Sequence, residues 1–166
     1  MKNWIPIPGT TKDKIIQVAI RQFSQNGYEQ TNIVELAKEA EVTTGAIYHH
    51  FGSKMNLYEL IRTEMEQRII DRMEGAASLF DDKEEALKAA LITALNFAVQ
   101  KDLCLLLSEE KPYERNHHFE EIIKDFANEG HLYIVILASW KAILKGIHMH
   151  VITHEEGKKL LNRLFR

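Results

Sequence analysis

Apolar residues recur at helical spacing along nearly the whole chain, and this periodicity most restricts what it can fold into. Ile15, Ile16, Ala19, Ile20 and Phe23 share one helix face, with Thr10 placed to cap it and Asn26-Gly27 to stop it. Asn32-x-x-Glu35 opens a short second helix carrying Ile33, Leu36, Ala37 and Ala40. Thr43 caps a third, from about Thr44 to His50, which Gly52-Ser53 breaks. A fourth sets Leu57, Leu60, Ile61, Met65, Ile69 and Met73 on its inner stripe and is expected to end or bend at Gly75. Amphipathic stretches continue through residues 81–101, 102–111, 119–128 and 133–152, with pauses expected at Pro112 and Gly130. Thr153-x-x-Glu156 then caps a last helix. Three prolines and eight glycines in 166 residues leave long helices unhindered, and no convincing strand pattern appears. The expected fold class is all-α.

Composition narrows the class. Apolar residues at 45% and charged residues at 27% are a globular balance without a disordered tract. The single Cys104 cannot form an internal disulfide and reads as a small core residue of a reducing compartment. No signal peptide is evident, and the most apolar stretch, Leu132 to Trp140, is too short to span a bilayer. A cytoplasmic protein with no membrane partner is expected. The net charge of -3 is unevenly spread: residues 1–56 hold six basic and five acidic side chains, so the acidity belongs to the remainder.

The stretch "EVTTGAIYHHFGSK", Glu41 to Lys54, is poorly explained as core filling. Two short helices joined by Ala40-Glu41-Val42 make a helix-turn-helix, whose second helix enters the major groove of DNA. Thr44, Gly45 and Ala46 are small enough for close approach; a threonine hydroxyl can bond a base edge, and its methyl or Ala46 can meet a thymine methyl. Tyr48, His49 and His50 offer donors to phosphates or base edges, and Lys54 adds a cation one turn later. Ile47 and Phe51, four apart, are the inward anchors.

Ala19 to Ile61 resembles the TetR family of bacterial transcriptional repressors. The resemblance rests on Phe23-x-x-x-Gly27-Tyr28, Thr31-Asn32-Ile33, and Gly45-Ala46-Ile47-Tyr48-x-His50-Phe51 followed by Lys54. It implies a three-helix DNA-binding domain over residues 1–53 and a helical effector-binding and dimerisation domain over residues 54–166. It implies base contacts from Thr44, Gly45, Ala46 and His49, and phosphate contacts from Thr31 or Asn32, Thr43, Tyr48, His50 and Lys54. At Glu41 the family pattern often has glycine, so a left-handed turn there costs about 1 kcal/mol.

The resemblance further implies a homodimer, a small-molecule effector of unknown identity and a palindromic double-stranded operator released on effector binding. Met65, Ile69, Phe80, Leu91, Leu95, Leu106, Phe126, Tyr133 and Trp140 are the apolar candidates for the effector pocket. Trp140, Ala142, Ile143, Gly146, Ile147 and Leu164 are the candidates for the dimer interface. His117, His118, His131, His148, His150 and His154 are dense, and His150 and His154 on one helix face could hold a metal. Solvated or interface histidines explain them better, and neither metal nor cofactor is expected. No nucleophile–base pair, glycine phosphate loop or paired carboxylates stand at catalytic spacing, so no enzyme is expected. The competing function is a helical binding or scaffold protein of the same architecture that does not read DNA.

Overall fold

The computed structural model describes residues 6–110, 118–127 and 131–165. The expected stops at Pro112 and Gly130 lie outside these, as do His117 and the side chains of His118 and Phe126. The described residues form helices and their connections, without strands. They fall in two compact units, Met1–Glu64 and Met65–Arg166.

The first unit holds α1 (Thr11–Gln30), α2 (Ile33–Glu39) and α3 (Thr44–Phe51). Each starts where a side chain replaces a missing helical acceptor. Thr10 accepts from the Asp13 amide, Asn32 from Val34 and Thr43 from Ala46. Ile15, Ala19, Phe23, Leu36 and Ile47 are fully buried, so the three amphipathic stripes meet in one core. As expected of Asn26-Gly27, the helical backbone of α1 is interrupted there: Gly27 takes φ 72° and ψ -179°, and a second short helical stretch follows it to Gln30. A side chain rarely adopts that backbone, and Gly27 is buried. Glu41 is left-handed at φ 56° in the tight turn between α2 and α3, and Gly52 at φ 79° ends α3. Helix α4 (Lys54–Ala77) starts in this unit and passes through Gly75 without ending there.

The second unit takes the rest of α4 with α5 (Lys83–Gln100), α6 (Cys104–Ser108), α7 (His118–Ala127), α8 (Leu132–His148) and α9 (His154–Arg163). Helix α5 packs against α7, α8 and α9, while α8 also lies on α6 and α7. Ile69, Met73, Leu91, Leu95, Leu106, Ile123, Trp140, Leu144 and Leu161 are sealed from solvent. Arg72 of α4 lays its guanidinium 4.1 Å from the Phe97 ring centroid. Helix α8 ends at His148, short of the expected end at residue 152, because His150 turns left-handed at φ 56°. A capping box opens α9: Thr153 accepts from the Glu156 amide while the Glu156 carboxylate accepts from the Thr153 amide. Those donated bonds from Thr153 hold the Glu156 carboxyl below its usual range.

Candidate nucleic-acid interface

Helix α3 divides its eight residues sharply. Ile47 is 0% exposed and Phe51 8%, and these two anchor the helix. On the opposite side Gly45, Tyr48, His49 and His50 are exposed, with Thr44 and Ala46 half-buried beside them. A Cβ added at Gly45 would lie 3.6 Å from the Thr43 hydroxyl, an ordinary contact. The chain's own packing therefore does not require a glycine there. Tyr48 is half exposed, and among the described residues neither its hydroxyl nor the His49 and His50 imidazoles are spent on a hydrogen bond. The two imidazoles stand edge-on at 5.4 Å between centroids.

The flanking donors differ in availability. Thr43 is exposed; its oxygen caps α3, which leaves its hydroxyl hydrogen free to donate. Asn32 is exposed and caps α2 through its carbonyl oxygen, leaving its amide NH₂ outward. Thr31 does not belong in the phosphate set. It is 3% exposed, and its hydroxyl donates to the Gly27 carbonyl at 2.7 Å. That carbonyl belongs to the kink residue of α1, and the same hydroxyl stands 3.2 Å from the Gln22 carbonyl. Lys54 is half-buried, its ammonium donating to the Glu29 carbonyl at 3.3 Å and lying 4.5 Å from the Tyr28 ring centroid.

Two carboxylates near this surface, Glu41 and Glu39, are paired from within the unit. Lys14 pairs with Glu41 at 3.1 Å across the turn, and Arg21 pairs with Glu39 at the end of α2. The hydrogen bond from Gln22, and then the one from Arg21, hold the Glu39 carboxyl below its usual range. Neutralised acids of this kind weaken the repulsion that a phosphate backbone would otherwise meet.

The second unit gathers the candidates for an effector site unevenly. Met65, Ile69, Leu91, Leu95, Leu106 and Trp140 are buried. Tyr133 is half-buried under the Lys124 ammonium, 5.8 Å from its ring centroid, whereas Phe80 is exposed. Trp140 stacks at a tilt on Phe119, 5.0 Å between centroids, and its indole N–H has no partner among the described residues.

The proposed dimer residues also divide. Trp140 at 1% and Ile143 at 6% exposure belong to the core of this unit, not to its outer face. A Cβ at Gly146 would meet Ile152 at 3.2 Å, so its smallness accommodates the chain's own loop. Ile147 is half-buried, while Ala142 and Leu164 are exposed. Ala142 lies on an outward stripe of α8 whose other members the sequence reading did not name: Ile134, Val135 and Ala138, continued by Met149 just past its end. Its signal was present, since these positions repeat at three- and four-residue steps half a turn from Trp140.

His150 lies in the turn after α8 and His154 opens α9, so the two share no helix face. The His154 ring nitrogen instead stands 2.9 Å from the Asn96 amide oxygen. Among the described residues no three histidine, cysteine, aspartate or glutamate side chains gather as metal ligands. Among them, too, no helix is long and apolar enough to cross a membrane.

Comparison with known proteins places this geometry. Residues 15–61 match the family of bacterial regulatory proteins of the tetR type. The chain is 38% identical over 100 residues to the HTH-type transcriptional regulator AcrR of Shigella flexneri, covering 60% of this chain and 46% of that one. It is 34% identical over 88 residues to a probable acrEF/envCD operon repressor of Escherichia coli, covering 52% of this chain and 40% of the relative. The matched part thus spans less than half the length of these two curated relatives. A tetR-family regulator structure from a Shewanella species superposes with a TM-score of 0.71 at 20% identity, covering 94% of this chain and 96% of that one. At that identity the likeness concerns the fold.

Proposed function

We propose that this chain, which belongs to the TetR family of bacterial transcriptional regulators, represses transcription by seating α3 in the major groove of a palindromic operator and is released from it by a small-molecule effector. The observation that carries the DNA half is the outer face of α3. A glycine its own fold does not require stands beside Thr44, Ala46 and three uncommitted polar rings. Thr44, Gly45, Ala46 and His49 read base edges; Asn32, Thr43, Tyr48, His50 and Lys54 hold phosphates.

Dimerisation supplies the second reading head. A two-fold dimer presents its recognition helices to half-sites about 34–36 Å apart or a multiple of that. Effector release needs only a ligand that binds the non-DNA state better; a difference of about 1–3 kcal/mol changes DNA affinity roughly 5–150-fold. Helix α4 contributes residues to both units, and Met65 and Ile69 stand on its inner stripe, which makes it the natural carrier of that coupling.

The test is selection of bound sequences from a random duplex pool by the full chain, followed by fluorescence anisotropy against salt. The selected sites should be palindromic, and binding should weaken steeply with salt. Thr44→Val should change the preferred base at one position in each half-site while leaving the salt slope alone. No enrichment, together with no salt-dependent binding at low ionic strength, would sink the DNA reading.

A further inference from the structure

The end of α1 carries an inference that rests on the DNA-binding reading: we propose that Tyr28 is a positioning residue for phosphate binding, acting through Lys54. The last carbonyls of a helix have no intrahelical donor, and that end of the helix carries partial negative charge. Lys54, the first residue of α4, supplies both a donor and a positive charge to the end of α1. Its ammonium bonds the Glu29 carbonyl at 3.3 Å and stands 4.5 Å from the centroid of the Tyr28 ring, within cation–π range.

The Tyr28 ring is itself fixed. It stacks on Phe23 at 6.5 Å and meets Tyr58 edge-on at 5.0 Å, just after the kink that Gly27 makes at φ 72°. Tyr58 is 1% exposed and Phe23 0%, so the ring rests on packed core. A lysine ammonium carries three donors and no acceptor. The Glu29 carbonyl takes one, and the ring face attracts the charge without consuming a hydrogen-bond acceptor. The remaining donors are left for a phosphate. A free surface lysine must give up much of its rotamer freedom to grip one phosphate oxygen. Here the ordering is already done before DNA arrives, which is how a fixed charge gains affinity without a new contact.

The probe is a fluorescein-labelled duplex of random sequence at low ionic strength, where phosphate contacts dominate, titrated with the full chain. Lys54→Met should lower affinity and reduce the salt slope by about one. Tyr28→Phe keeps the ring face and should bind as the unaltered chain does. Tyr28→Leu should bind about two- to five-fold more weakly with an unchanged slope. It should have no further effect once Lys54 is Met. Where thermal unfolding shows that the leucine variant is damaged, phenylalanines of increasing fluorine content at position 28 replace it. They keep the packing and drain the ring face, so affinity should fall stepwise with each fluorine. Equal losses from Tyr28→Leu with and without Lys54, or a flat fluorine series, would overturn the proposal and leave Tyr28 as packing. Failure of the unaltered chain to bind any duplex would overturn the DNA-binding reading along with it.

Discussion

Glu41 shows how far one residue can be read from its neighbours. Four residues, Ala40 to Thr43, join α2 to α3, so the turn is tight enough that a left-handed residue can be anticipated there, and φ at Glu41 is 56°. The carboxylate's partner could not be anticipated, because Lys14 lies 27 positions away and meets it at 3.1 Å through the fold. Taken at mid-range, the backbone strain of about 1–2 kcal/mol exceeds by a few tenths the extra chain entropy of glycine, about 0.5–1 kcal/mol, together with a surface pair worth about 0.3 kcal/mol. Glu41→Gly should therefore raise stability on the order of 0.5 kcal/mol, read as a higher urea midpoint with unchanged slope. A lower midpoint would mean that the Lys14 pair outweighs the strain. Thr31 failed for the same reason that Glu41's partner was hidden. Its sequence context offers a hydroxyl at a helix start, but the carbonyl that captures it is the buried one of Gly27, at the kink.

Among elements, helix starts were legible and helix contacts were not. Thr10, Asn32, Thr43 and Thr153 cap the helices they were expected to cap, because capping is settled within three residues. Gly157 gave no such local signal. Inside α9 it looks like a weak point, yet a Cβ there would stand 3.0 Å from both Ile143 and Ile147 of α8 and 3.6 Å from Leu95 of α5. The glycine is what allows α9 to lie so close to the other two helices. Gly157→Ala should change stability little, since a gain in helix propensity of about 1 kcal/mol opposes the crowding. Gly157→Leu has no such compensation beyond the same propensity and should cost about 1–3 kcal/mol by overpacking, measured by thermal unfolding. A leucine variant as stable as the alanine one would show that the α8–α9 packing yields.

At the scale of the whole molecule, the all-α class and the helix-turn-helix were legible because periodicity and turn chemistry repeat along the chain. The division of α8 into faces is less so: Trp140, a candidate for both the pocket and the dimer interface, and Ile143, a candidate for the interface, are buried in the core of the second unit. Ile134, Val135, Ala138, Ala142 and Met149 form the stripe left uncovered, and Leu160 and Leu164 of α9 are likewise exposed. That much aliphatic surface on one protomer fits a helix-on-helix contact with a second copy. Ala142→Glu should leave the chain folded and convert a dimer to a monomer in light scattering at micromolar concentration; an unchanged mass would place self-association elsewhere. The burial of Trp140 has one further consequence. Its indole is 1% exposed, and the sequence holds only one other, Trp4. With Trp4 replaced by phenylalanine, the remaining emission comes from a chromophore shielded from water. The light it gives off should lie well to the blue of the free amino acid and move red whenever the interior of the second unit admits solvent, so the protein carries its own optical gauge of that interior without any attached dye.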